Sequence, residues 1–349
     1  MPKPTAVDTE RLTERLTQLL AIPSPTGWTD HAERQVADWL GALGLPAEWT
    51  PKGGLLARWE GEAEATPRCL TAHVDTLGAM VKEFQASGRP RLTGIGGLQW
   101  ASLDGEGRTI HTQDGRQIRG TILVDMASAH VHGDEGKDRP RSAKTMEVRL
   151  DAPVDSEQAS RQLGLQVGDF VSIDPRTETG PAGFIRSRFL DDKAGAACLL
   201  ESAAAILESH RRPAQTTYLH FSNYEEVGHG ASADIPDEVK ELVAVDMAAV
   251  GQGQASQETC VTICVKDSGG PYHYGLSSRL RRLAEQGGID CRLDIYPHYR
   301  SDGSAHWFAG GRAQVALIGP GIDASHHYER THVDGLAATC QLLTAYLLS

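Results

Sequence analysis

Leu12, Leu16, Leu19, Leu20 and Ile22 recur at helical spacing, and Pro23 and Pro25 then remove donors and fix φ, so a helix over about 8–22 and a turn are predicted. Thr29 or Asp30 caps a second predicted helix carrying Val36, Leu40 and Leu43 on one stripe, with Gly44 as its terminator. The period then changes. Residues 68–72 form a short β-like run into His73, and apolar extended character persists to Val81. From about 83 to 176, β-like pieces at 121–124, 146–150 and 169–173 alternate with glycine-rich and charged turns such as Gly94-Ile95-Gly96-Gly97 and His132-Gly133-Asp134-Glu135-Gly136. After residue 185 strands and helices alternate: a helix at about 194–208, strands at 216–223, 242–246 and 259–265, a helix at 275–286, strands near 292–296 and 314–318, and a last helix at about 333–348.

That order predicts the α/β class: a three-layer α/β/α, doubly wound mixed sheet from residues 1–82 and 177–349, with a smaller inserted β-rich domain at 83–176. In such sheets ligands gather at the carboxyl ends of the strands.

With 349 residues and 40% apolar content the chain can bury a large core. The formal charge of -12 disfavours a phosphate backbone, so no nucleic acid partner is expected. The early residues lack an apolar stretch of the leader type and no window is long and apolar enough to span a bilayer, so a cytoplasmic location without membrane association is expected. Six cysteines form no CxxC pair; Cys260 and Cys264 share a strand face and read as buried small hydrophobes in a reducing compartment.

Against this scaffold, four scattered stretches and a late histidine suggest a dinuclear metal site. His73 and Asp75, two apart on a strand end, share one face, so His73 can bind a metal while the Asp75 carboxylate accepts its other ring N–H. Asp191-Asp192 precedes a helix opening with Lys193; either carboxylate can cap that helix, and one can bridge two cations. Glu225-Glu226 follows an apolar strand, and neighbours at a strand end diverge, so one can ligate while the other acts as general base. Asp246 ends the buried run Leu242-Val243-Ala244-Val245, and His326 or His327 supplies a final imidazole before the last helix.

Taken in order, HVDTLGAMV at 73–81, VGDFVSIDP at 167–175, FLDDKAG at 189–195, YEEVGHGA at 224–231, AVDM at 244–247, SDGSAH at 301–306 and SHHYERTH at 325–332 resemble the tetrahedral (TET) aminopeptidase family, also called deblocking or glutamyl aminopeptidases and related to bacterial leucyl aminopeptidases. The resemblance implies that His73 and Asp246 hold separate metals, that Asp191 bridges them, that Glu226 completes one shell and His326 the other, and that Glu225 is the base with Asp75 supporting His73. It also implies two divalent ions per subunit, Zn or Co ahead of Mn, peptide substrates with a free N-terminus, and a homo-oligomer built from dimers, up to a dodecamer, assembled through the insertion. Asp302 and His306 are candidate substrate-binding residues. Two departures stand out. Many members carry Arg-Tyr-x-His-Ser where this chain has Ser325-His326-His327-Tyr328, which leaves His327 beside the preferred His326. Glu226-Val227-Gly228-His229-Gly230 is one residue shorter than the usual Glu-Val-Gly-Leu-Arg-Gly, a change beside the pocket for the substrate's first side chain.

The function expected is hydrolysis of N-terminal residues by a water activated at the ions, with Glu225 moving its proton. A related amidohydrolase acting on N-acyl amino acids or small amide osmolytes uses the same chemistry, and a metal-free scaffold is the non-enzymatic alternative.

Overall fold

In the computed structural model, which describes residues 6–349, the strand Ala63–His73 lies between two parallel neighbours, Gln215–Ser222 and Glu241–Val245. Gln314–Asp323 continues the sheet in parallel beyond Glu241–Val245, while Leu55–Trp59 borders Gln215–Ser222 in the antiparallel sense. Val261–Asp267 runs antiparallel to Gln314–Asp323 and carries Cys291–Ile295 beside it. The sheet is therefore mixed, with a parallel centre.

Strand alternation divides the apolar side chains between two faces. Leu70, Ala72, Leu219, Phe221, Val243, Val245, Ala316 and Ile318 enter one cluster. Cys69, Tyr218, Leu242, Ala244, Val315 and Leu317 enter the other. The larger cluster is closed by the helices Thr9–Leu20, Asp30–Ala42, Leu190–Glu208, Tyr274–Gly287 and Val333–Leu347, through residues such as Leu16, Leu40, Leu199, Leu280 and Leu343. Helix Leu190–Glu208 is buried from Leu190 to Ile206, so its Glu201 needs partners and finds them in Arg11, whose Nε and Nη2 each lie 2.8 Å from the carboxylate.

Register aligns the functional edge. Ser222 stands opposite His73, and Thr71 opposite Ala244, so Asp246 lies two residues beyond that last pair and level with His73. The close approach needs glycine: an added Cβ at Gly319 would overlap the Asp246 carbonyl, whose own N–H donates to Ile318 at 2.9 Å.

The chain divides into Met1–Asp75 with Arg176–Ser349, and Thr76–Pro175. The smaller unit is a six-stranded antiparallel sheet in the order Pro90–Ile95, Gly78–Phe84, Phe170–Ile173, Gly107–His111, Gln117–Val124 and Met146–Leu150. Residues 76–82, assigned to the larger unit by the sequence pattern, belong here because Gly78–Phe84 pairs with Pro90–Ile95 and Phe170–Ile173 and buries Ala79 and Val81. Short elements also arise where loops were expected: helix Ala129–Lys137 in the glycine-rich stretch, helix Asp302–Phe308 behind a Ser301–Ser304 capping box, and strand Glu329–His332 paired with Phe184–Ser187. Among the described residues no helix is long and apolar enough to cross a membrane.

Gly319→Ala is expected to lower stability by about 3 kcal/mol through backbone overlap. Gly41→Ala, at an exposed helical site with no atom near the added Cβ, raises it by about 0.5–1 kcal/mol. Urea unfolding of both variants measures the contrast.

Candidate metal centre

His73 is the last residue of its strand, and its Nδ1–H donates to the Asp75 main-chain carbonyl at 2.9 Å. That fixes the tautomer and turns the Nε2 lone pair toward the centre, where Nε2 is buried without a hydrogen-bond partner. Around Nε2 stand Asp191 Oδ1 at 3.3 Å, Glu225 Oε2 at 3.6 Å and Asp246 Oδ1 at 4.0 Å. On the other side His326 Nε2 lies 3.7 Å from Asp191 Oδ2 and 3.7 Å from Glu226 Oε2. Asp191 thus offers one oxygen to each imidazole. Donor spacings of this size suit ligand bonds of about 2.1 Å to a shared ion.

The grouping corrects one expectation. Asp246 gathers with His73, and Glu226 with His326, rather than His73 and Asp246 serving separate metals. The reason is the sheet: His73 and Asp246 end neighbouring parallel strands at one level. Asp192 also places an oxygen within 4.8 Å of His73 and Asp246. Its oxygens are already used, Oδ1 accepting Gly195 N–H at 3.2 Å and Oδ2 accepting His73 N–H at 3.3 Å, so it caps the helix while Asp191 faces the centre.

Asp75 differs in detail from its expected part. Its carboxylate does not take the His73 ring proton; it accepts Thr26 Oγ1 at 2.7 Å and the main-chain N–H groups of Glu225 and Glu226 at 3.2 and 3.3 Å. It therefore orients the two glutamates through their backbone. Asp302 is buried with both oxygens occupied, by Ser222 Oγ and Ala231 N–H, so it closes the base of the Glu225 loop instead of facing a substrate. The His306 ring lies against Gly311, where a Cβ would overlap it. Lys52 Nζ binds the carbonyls of His229 and Gly230 on the same loop. His326 reaches the centre, whereas His327 is exposed with Nδ1 3.5 Å from the Ser325 carbonyl.

Charge decides what the pocket can hold. Burial, reinforced by neighbouring carboxylates, pushes Glu225, Glu226 and Asp192 well above the carboxylate range and Asp246 up to about 7. Burial alone pulls the His73 imidazole down, but Glu225, Asp191, Asp75 and Asp246 outweigh it and raise it well above its ordinary value. Lys193 supplies no compensation, because its Nζ donates to the carbonyls of Leu19 and Ile22 at 3.0 and 2.6 Å, where burial lowers it to about 7. So many buried acids around an unpartnered imidazole nitrogen suit divalent cations.

The profile of the M42 glutamyl aminopeptidase family matches residues 53–342. The chain belongs to that family. M42 peptidases are metal-dependent, in keeping with the donor sets above, and membership makes the chain a peptidase hydrolase rather than a metal-free scaffold. It is 47% identical over 336 residues to "Putative aminopeptidase YhfE" of Bacillus subtilis (strain 168), covering 96% of this chain and 97% of that protein. The "Glutamyl aminopeptidase" of Lactococcus lactis subsp. cremoris (strain MG1363) is 25% identical over 198 residues, 54% of this chain and 53% of its own. In fold the M42 chain is similar to the Pyrococcus horikoshii TET1 peptidase, with a TM-score of 0.84, 20% identity and coverage of 97% and 99%; that protein assembles into a tetrahedron or an octahedral shell.

Two residues that sequence reasoning missed stand at the centre. Glu329 accepts His326 N–H at 3.0 Å and Asp191 N–H at 3.2 Å, tying both candidate ligands together. The buried Tyr299 hydroxyl stands beside the Asp246 carboxylate. Glu329 lies inside the SHHYERTH stretch without having been singled out there, and Tyr299 lies outside every quoted motif.

Asp246 has a folded value of about 7, so the metal-free folded chain holds more protons than the unfolded chain from about pH 4 to 7 and loses stability as pH rises through that window. His73, also raised, adds a loss of the same sign above its unfolded value. Bound cations remove both effects. Calorimetry should therefore show the gap in thermal midpoint between metal-loaded and chelated samples widening from acid to neutral pH; a constant gap would contradict it.

Proposed function

We propose that the chain is a dinuclear metal-dependent aminopeptidase that removes N-terminal residues from peptides. His73 and Asp246 would hold one divalent ion, Glu226 and His326 the other, and Asp191 both, with Zn or Co as the ions ahead of Mn. The observation that carries this reading is Asp191, with Oδ1 3.3 Å from one imidazole and Oδ2 3.7 Å from the other. When bound, the ions lower the pKa of a water and polarise the substrate carbonyl.

The protein's own groups supply the rest. Glu225 sits on a loop fixed by Asp75, Asp302 and Lys52, so its carboxylate is held in place before substrate arrives. A buried carboxylate with a raised affinity for protons is suited to take one from the attacking water at Oε2 and return it to the leaving amine. The acidic surroundings favour the α-ammonium of a free N-terminus over an N-acylated one. The names of the Lactococcus lactis and Pyrococcus furiosus relatives, glutamyl and lysyl aminopeptidase, differ in the residue removed, and the shortened Gly228-His229-Gly230 turn is where this chain's preference is set.

A homo-oligomer built from dimers, with Thr76–Pro175 as the assembly unit and a dodecamer as its upper form, extends the shells of the TET1 relative to this chain. Six free cysteines suit a reducing cytoplasm.

Glu225→Gln should retain two equivalents of metal and lose about 10²–10⁴-fold in kcat on aminoacyl anilides. His326→Ala should retain only one tightly held equivalent. Elemental analysis alongside a panel of aminoacyl anilides, peptides and N-acyl amino acids checks both. Full activity of Glu225→Gln, or preference for the N-acylated compounds, would refute the reading.

A further inference from the structure

On the sheet face that carries Cys69 and Tyr218, the apolar pattern breaks one pleat behind His73. Strands Ala63–His73 and Gln215–Ser222 run parallel with Thr71 opposite His220 and Ser222 opposite His73, so these four side chains share one face. Thr71, His220 and Ser222 are all buried, and buried polar groups need partners. They find them in one another and in Asp302. Ser222 Oγ donates to Asp302 Oδ2, Thr71 Oγ1 lies 3.4 Å from that same oxygen, and His220 Nδ1 lies 2.9 Å from Thr71 Oγ1. The other oxygen, Oδ1, accepts Ala231 N–H at 2.7 Å.

Donor and acceptor capacity assigns the direction of this chain of bonds. A carboxylate only accepts, so Thr71 gives its one hydroxyl proton to Asp302 and takes the Nδ1–H of His220. Burial, with Lys52 and His306 adding to it, holds the His220 imidazole down to about 3, so the ring stays neutral with a single proton to place. Asp302 in turn binds Ser222 ahead of Glu225-Glu226 and Ala231 behind them, and thus grips both ends of the segment that carries the two glutamates.

We infer that Thr71, set by His220, is a positioning residue: it fixes the rotation of the Asp302 carboxylate, which then holds Glu225 and Glu226 through the two ends of their loop. Neither Thr71 nor His220 touches substrate. The kinetic consequence rests on the aminopeptidase reading, whereas the effect on the loop rests on the hydrogen bonds alone. Without the hydroxyl, His220 Nδ1 and Asp302 Oδ2 each lose a partner in a buried space, the carboxylate is free to turn, and its grip on Ala231 N–H loosens. Proton transfer at Glu225 then starts from a spread of loop positions instead of one.

Thr71→Val, which keeps the shape and removes the hydroxyl, set against Thr71→Ser, which keeps the hydroxyl, provides the test. Hydrogen exchange of the full chain in chelator reads the loop directly: amides of residues 224–231 should exchange about 10-fold faster in Thr71→Val, and Thr71→Ser should restore the wild-type rate. In the metal-loaded protein, kcat on aminoacyl anilides should fall about 10–100-fold in Thr71→Val with KM changed less than about 3-fold, and Thr71→Ser should recover most of that loss. If Thr71→Val lowers the thermal midpoint while loop exchange and kcat stay at wild-type values, or if Thr71→Ser loses as much as Thr71→Val, the hydroxyl is a packing contact and the inference is overturned. Should Thr71→Val not fold, His220→Leu against His220→Asn, whose amide nitrogen takes the place of Nδ1, carries the same contrast with the same two outcomes. A wild-type chain that hydrolyses no aminoacyl substrate overturns the aminopeptidase reading, and the exchange rates still decide whether Thr71 holds the loop.

Discussion

Carboxylates crowded into a pocket of low dielectric repel one another, and the architecture around Asp191 is built on that repulsion. Asp191, Glu225, Glu226 and Asp246 are all buried or nearly so and lie within reach of two imidazoles. Left alone, Glu225, Glu226 and Asp246 hold protons and destabilise the fold, while Asp191 stays charged beside His73 and His326; in the proposed centre two divalent cations would take Asp191, Glu226 and Asp246 as ligands and leave Glu225 as base. The same groups are thus a liability or a site according to what sits between them.

Keeping them there falls to the backbone. Parallel register levels His73 with Asp246, and glycine at 319 and 195 lets neighbouring carbonyl and carboxylate groups come close. Phe189, Tyr224 and His326 take positive φ of 68°, 75° and 68°, each at or next to a candidate ligand segment. Left-handed conformations cost of order 1–3 kcal/mol in side chains of this size and persist where the surroundings enforce them. Here the enforcing contacts are Asp75, Asp302, Lys52 and Glu329, which hold the main chain on either side of the site.

Much of this was legible from local pattern, because strand alternation and buried apolar runs report the sheet directly. His73 and Asp246 could be read as strand-end residues from Cys69–Ala72 and Leu242–Val245 alone, and the β-rich texture after residue 83 marked the second unit. The boundary slipped by seven residues since the apolar run through Val81 follows on directly from the strand that ends at His73. Pairing of ligands was read wrongly, since spacing along the chain says nothing of which strand ends stand level. Tyr299, Lys52 and Glu329 were invisible for the same reason: each acts through a contact with a residue far off in the chain. Asp302 was noticed, but its short helix and its bonds to Ser222 and Ala231 could be seen only in three dimensions.

Anomalous diffraction from crystals grown with Zn or Co tests the shared carboxylate most directly. Two peaks per chain should appear, one flanked by His73 and Asp246 and one by Glu226 and His326, with an Asp191 oxygen on each. A single peak, or two ions that Asp191 does not join, would contradict the dinuclear centre.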